Sequence, residues 1–305
     1  MFPDRRVRLA VFAAIVALPL LLPLTAVAAP KTGSAMRSVG TSGGAVPKSC
    51  SLPTRFAAQR FPARPRIDNR YLPALPGMRY VLEGTANTDE GIIQRRIVTT
   101  VTDMTKVVNG VRTVVVWDRD YNNGELAEAE LTFWAQDKHG NVWNLGEYPE
   151  EYENGKFVGA PSTWIAGQDR ARAGVIMLAE PRVGALYLQG RAPAVDFFDC
   201  AEVVREGVTT CTRLDCYHRV LVVDESSPLD PEGGVQRKFH APGVGVVRIT
   251  AIGDPEGETL TLASATRLGP QGLKEARKAV RRLERRAYRI SRVYQATQPA
   301  RPGIP

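Results

Sequence analysis

Histidine is nearly absent from this sequence: His139, His218 and His240 are the only three in 305 residues. That scarcity excludes a histidine-rich metal centre. The chain also lacks the Gly-x-Ser-x-Gly and His-Glu-x-x-His motifs of hydrolases. Long helices alternating with strands are missing too, which excludes a Rossmann or barrel α/β enzyme. No repeat of fixed period occurs. The 44% apolar share rules out both a chain disordered throughout and a multi-span membrane protein. No motif for a cofactor is present, and no residue stands out as catalytic.

What is present begins with a leader. Arg5, Arg6 and Arg8 precede an uncharged run from Leu9 to Ala29, and Ala26-Val27-Ala28 supplies a small-x-small cleavage signal. Residues 1–28 therefore read as a signal peptide for Sec or Tat export, with an uncleaved anchor as the less favoured alternative. Four cysteines follow in an oxidising compartment, and an even count predicts two disulfides. Cys211 and Cys216 flank a four-residue spacer and would staple a hairpin, leaving Cys50 to tie the N-terminal segment to Cys200. Metal binding by Cys211, Cys216 and His218 lacks a second ligand pair.

Residues 29–66 read as a Gly/Ser/Pro-rich linker. In it Gly40-Thr41-Ser42-Gly43-Gly44 resembles the nucleophile motif of chymotrypsin-like proteases, but the first His comes only at position 139. Residues 67–269 carry short Val-, Ile- and Thr-rich runs separated by turn signals, Asn109-Gly110 and Asn123-Gly124 being the clearest. The fold class is mainly β: a single antiparallel sheet or half-barrel with a C-terminal amphipathic α-helix. That helix, 270–298, carries an apolar seam of Leu273, Ala276, Val280, Leu283, Ala287, Ile290 and Tyr294. Residues 299–305 form a tail.

Charge is unevenly placed. The formal total is +8, yet residues 273–292 hold nine bases against two acids, +7. Residues 118–153 hold ten acids against two bases, −8. One expectation is that the helix lies seam-down along the acidic part of its own domain. The other is that Arg277, Lys278, Arg281, Arg282, Arg285, Arg286 and Arg289 contact an anionic surface, either a membrane or a wall polymer. Export removes nucleic acid as a partner. Oligomeric state is left open.

Asp118-x-Asp120-x-Asn122 approaches a calcium loop, but Asn123 and Ala129 replace the Gly and Glu of an EF-hand. A hairpin with solvated acids is the plainer expectation, and Asp118, Asp120 and Asn122 stay a weak calcium candidate. Carboxylate pairs for glycoside hydrolysis could be drawn from Glu125, Glu128, Glu130 and Glu147. Trp117, Trp134, Trp143 and Trp164 suit core packing better than sugar stacking.

Four segments carry a resemblance: Ile67–Gly84, Phe133–Glu147, Ala173–Gly184 and Lys238–Val247. They contain Ala135-Gln136-Asp137-Lys138-His139-Gly140-Asn141-Val142-Trp143 and Ala241-Pro242-Gly243-Val244-Gly245. In this order the chain resembles a family of exported bacterial proteins of uncharacterised function. The resemblance implies an antiparallel β domain akin to the curved half-barrels of envelope lipoprotein carriers, and no activity. The expected function is a non-enzymatic binding or structural role at the envelope, the helix closing a curved sheet over an apolar or amphiphilic ligand. A hydrolase of envelope glycans and a module gripping anionic polymers or lipid are the rivals.

Overall fold

The computed structural model describes residues 50–88, 91–254 and 256–303. The signal peptide and residues 29–49 of the linker lie outside the described residues. Strands β1 (Met78–Thr88), β2 (Gly91–Val108), β3 (Val111–Asn122), β4 (Glu125–Gln136) and β5 (Val142–Glu153) form a meander. Two short strands, β6 (Lys156–Gly159) and β7 (Trp164–Ile165), follow. Next come β8 (Arg172–Met177), β9 (Leu186–Ala192), β10 (Phe197–Cys211) and β11 (Cys216–Ser226). Then β12 (Val235–Ala241), β13 (Gly245–Ile252) and β14 (Thr259–Arg267) lead to helices α1 (Pro270–Ile290) and α2 (Arg292–Gln295). A two-residue strand β15 (Arg301–Pro302) ends the order.

The sheet does not stop at a half-barrel. β1 pairs antiparallel with β14 on one side and with β2 on the other, from Arg79↔Thr100 to Thr88↔Gly91. The ladder β1-β14-β13-β12-β11-β10-β9-β8-β5-β4-β3-β2 thus returns to β1, a closed antiparallel barrel of twelve strands. Closure removes the two free edges that an open sheet would have to protect. Asn109-Gly110 and Asn123-Gly124 turn as the sequence predicts, each residue at positive φ, as a two-residue hairpin of this hand requires. Asn154-Gly155 does the same between β5 and β6.

Both disulfides form as expected, Cys50–Cys200 and Cys211–Cys216. The first lashes residues 50–66 to the barrel, so this end of the linker is structure: Phe56 and Phe61 pack on the Trp143 ring at 5.7 and 5.9 Å.

Helix α1 lies against the outer face of β2 and β4. Ala276, Val280, Leu283, Ala287 and Tyr294 of the predicted seam are buried, joined by Ala279 and Glu284. Ile290 is half exposed, because the helix ends there and not at 298. Ser291 is extended (φ −113°, ψ 115°), and its hydroxyl accepts from the Tyr294 amide to cap α2. Glu284 is the pin beneath the helix. Lys106 Nζ reaches it at 2.8 Å, the Tyr294 hydroxyl donates at 3.0 Å, and the Ala300 amide donates at 3.1 Å. An irregularity in β2 between Val101 and Thr105 lets Asp103 and Lys106 both serve the helix. Past the end of β1, residues 301–302 pair with Thr105 and Met104 and cover the edge of β2.

A buried ion pair is costly to break from one side. Lys106→Met should therefore cost about 3–5 kcal/mol in urea unfolding, and Lys106→Met with Glu284→Leu should recover part of it; equal stability of the single variant and the wild type would contradict this role. The chain-entropy relation also separates the disulfides. Cys50–Cys200 closes a separation of 150 and Cys211–Cys216 one of 5. Removing the first should cost about 5 kcal/mol and the second about 2, read from denaturant midpoints.

Candidate functional site

Strand periodicity decides where the acids go. On β3 the alternate residues Val114, Val116, Asp118 and Asp120 face the lumen, while Val115, Trp117 and Arg119 face outward. On β4 the same alternation turns Glu128, Glu130, Thr132 and Trp134 inward. Register then sets Asp118 opposite Glu130, Asp120 opposite Glu128, and Thr132 opposite Glu147. Directly opposed residues lie about 5 Å apart at Cβ, so the lumen holds a belt of closely spaced carboxyl side chains. Glu128, Glu130, Asp120 and Glu147 are at most 3% exposed.

The belt has few cations. Arg95 Nε donates to Glu258 at 2.9 Å, and its other nitrogens meet Asp120 and Asn122. Across the barrel Lys238 bonds Glu225, which also accepts from Gln189. Burial is the main cause of the shifts that follow. It pushes Asp118 up to about 6 and Asp120 to about 8, with Glu258 and Asp118 adding to the rise at Asp120 against the pull of Arg95. Glu128 and Glu130 are also raised well above the usual carboxylate range, by burial first and then by neighbouring carboxylates, Asp120 and Glu147 at Glu128 and Glu147 and Glu128 at Glu130. Glu147 rises to about 8 although the Trp164 indole donates to it at 2.9 Å. That bond needs Gly146: a Cβ there would stand 2.8 Å from the Trp164 carbonyl oxygen. His240, with Nδ1 on the Tyr71 carbonyl at 3.2 Å, is held neutral by burial, its pKa near 3.

These positions correct the solvated-hairpin expectation. Asp118, Asp120 and Asn122 share one face, as the spacing implied, but that face is the lumen, and Arg95 occupies the space beside Asp120 and Asn122. Among the described residues no group of three or more His, Cys, Asp or Glu is arranged to hold a metal ion. The paired-carboxylate candidates divide. Glu125 is exposed at a turn, while Glu128, Glu130 and Glu147 are buried together in the lumen. All four tryptophans are buried, at 8% exposure or less.

Two concavities stand out. Inside the barrel a cavity of about 90 Å³ lies among Leu82, Ile97, Val101, Trp134, Ile176 and Ile249, with Asp118 and Lys238 at its polar side. At ~30 Å³ per water it has room for about three. Outside the barrel a groove of about 320 Å³ runs between the end of the helix and the barrel wall. Ile290 and Val293 form one side, Trp164, Ile165, Ala194 and Val195 the other. Arg292 and Asp169, 2.8 Å apart, lie on its rim. The helix therefore packs its buried side directly on the barrel, and the groove lies at its last turn.

The cations proposed for an anionic surface divide as well. Arg277 folds down to Asp103, with Nε at 2.9 Å, and Arg286 to Glu150 and the Tyr152 hydroxyl. Lys278, Arg281, Arg282, Arg285 and Arg289 are exposed. Glu150 of the acidic stretch meets the helix, and the lumen acids lie on the other side of the wall.

No protein-family model and no curated protein matches the chain. One similar solved structure, from Bacteroides fragilis, is described as a protein inferred to be exported and having a YmcC-like fold. It is 12% identical, with 65% of this chain and 100% of that chain covered and a TM-score of 0.35. Another, from Parabacteroides distasonis, is described as an inferred lipoprotein. It is 13% identical over 65% of this chain and 99% of that one, at a TM-score of 0.30. Similarity this low carries no argument about this chain.

The belt makes stability depend on pH with a definite sign. A carboxyl whose folded pKa is raised binds more protons folded than unfolded. Its stabilisation is complete below the unfolded value near 4 and is lost as pH rises through about 8. Tm should fall between pH 5 and 9, and Asp120→Asn with Glu147→Gln should flatten the slope. A Tm rising over that interval would refute the assignment.

Proposed function

We propose that the protein is an exported, non-catalytic envelope protein that binds the apolar part of a small amphiphile in the groove beside the helix end. Export rests on the leader sequence and on two disulfides, which persist in oxidising compartments. The observation that carries the binding reading is the groove itself. Its volume of about 320 Å³ falls at the lower end of ligand sites, and its lining is amphiphilic: Ile165, Val195, Ile290, Val293 and Trp164 lie beside the polar Thr163, Gln168, Asp169, Ser291 and Arg292. The lumen cavity is less than a third of that size and sits against the carboxylate belt. Arg292 selects the headgroup: it is 82% exposed and pairs with Asp169 on the rim. An exposed pair of this kind is worth little in water, so an anionic head can exchange for Asp169 at small cost.

The test is titration of the purified protein with decanoate, followed by tryptophan fluorescence and native mass spectrometry. One-to-one binding is expected. Ala194→Trp, at an exposed site on the groove wall, should abolish binding without lowering Tm. Arg292→Gln should weaken decanoate roughly tenfold and leave decanol unchanged, about the value of one charge-assisted hydrogen bond. Unaltered binding by Ala194→Trp would overturn the groove as the site.

A further inference from the structure

Docking sorts the cations of α1 into two sets. At about 100° per residue, the buried positions Ala276, Val280, Leu283 and Ala287 form one side of the helix. Arg277 and Arg286 flank that side, and both bend toward the barrel to bond Asp103 and Glu150. Lys274, Lys278, Arg281, Arg282, Arg285 and Arg289 fall within a sector of roughly 100° diametrically opposite the buried side. All six are exposed, and none forms an ion pair among the described residues. Glu275, the acid nearest this sector, is engaged by Gln271 at 2.9 Å.

We propose that this stripe docks the protein flat on an anionic phospholipid surface. Lys274 and Arg289 are about 22 Å apart along the axis at 1.5 Å per residue, on a helix held straight against a rigid barrel. A plane of anionic headgroups meets all six cations at once, and no side chain must be reorganised to do it. The contact is peripheral. The apolar face of α1 is already spent on the barrel, and no described helix is long and apolar enough to cross a membrane. Attraction is therefore electrostatic and screened over a Debye length of about 8 Å at physiological salt.

Sedimentation of the full-length mature protein with large unilamellar vesicles tests the proposal. Binding is expected to vesicles of phosphatidylglycerol and phosphatidylcholine in a 1:2 ratio, and not to phosphatidylcholine alone. It should fall at least tenfold between about 50 and 500 mM NaCl. Each removed cation should lower affinity roughly fivefold, so the quadruple variant K278Q/R281Q/R282Q/R285Q should lose binding at physiological salt. The control R64Q/R205Q, which removes two exposed cations that lie outside the helix, should bind as the wild type does. Retained binding by the quadruple variant, or loss in the control, would overturn the proposal. So would soluble polyphosphate competing at equal phosphate as strongly as vesicles, since that would assign the stripe to a polymer. Decanoate titration of the same quadruple variant keeps this outcome separate from that of the groove, whose lining contains none of the four residues.

Discussion

Closure of the sheet is the constraint on which the other features rest. Once β1 pairs with both β14 and β2, each of the twelve barrel strands has two neighbours and its side chains point alternately into the lumen and out of it. An acid on an inward position then faces the lumen, and where packed side chains fill that lumen it is buried away from bulk water. Asp118, Asp120, Glu128, Glu130 and Glu147 occupy such positions on three adjacent strands, β3, β4 and β5. Their raised pKa values follow from enclosure first; neighbouring carboxylates add to the rise at Asp120, Glu128, Glu130 and Glu147, whereas at Asp118 burial alone raises it. The carboxylates thus line the inner wall of the barrel and are buried there.

The outer face is organised by the other half of the alternation. Lys106, Phe133 and Tyr148 point outward, and the tyrosine of α2 packs among them, with rings 6.1 Å from Phe133 and 5.3 Å from Tyr148. Glu284 brings a charge into that apolar contact, where Lys106 and two further donors satisfy it. Satisfying both carboxylate oxygens fixes the helix in rotation as well as in position, which is what leaves six cations facing away from the barrel. The break at Ser291 then lifts the chain off the wall and opens the groove under Ile290 and Val293.

Much of this was legible in the sequence. The mainly antiparallel β class, the Asn-Gly turns, both disulfides and five seam positions of the helix follow from period, turn chemistry and cysteine count. The acidic stretch was also legible as composition, and even as one face, since Asp118, Asp120 and Asn122 are spaced by two. What failed was the assumption that acids near an Asn-Gly turn are solvated. The turn is exposed, but the two strands leading from it run into the barrel. Glu284 gave no signal either, because a lone acid on a basic helix reads as an exposed charge until its partner on β2 is known.

Sequence alone determined the elements and their faces, because side-chain period and turn residues act over a few neighbours. It also determined that the +8 charge belongs mostly to one helix. Tertiary structure decided the sidedness. Whether the sheet closes depends on pairing between β1 and β14, some 180 residues apart in the chain, and no local pattern encodes that choice. With closure decided, one face of each strand became a low-dielectric interior, and five of the ten acids of the stretch 118–153 went inside. The helix charge was then divided between two arginines bound to the barrel and six cations turned to solvent.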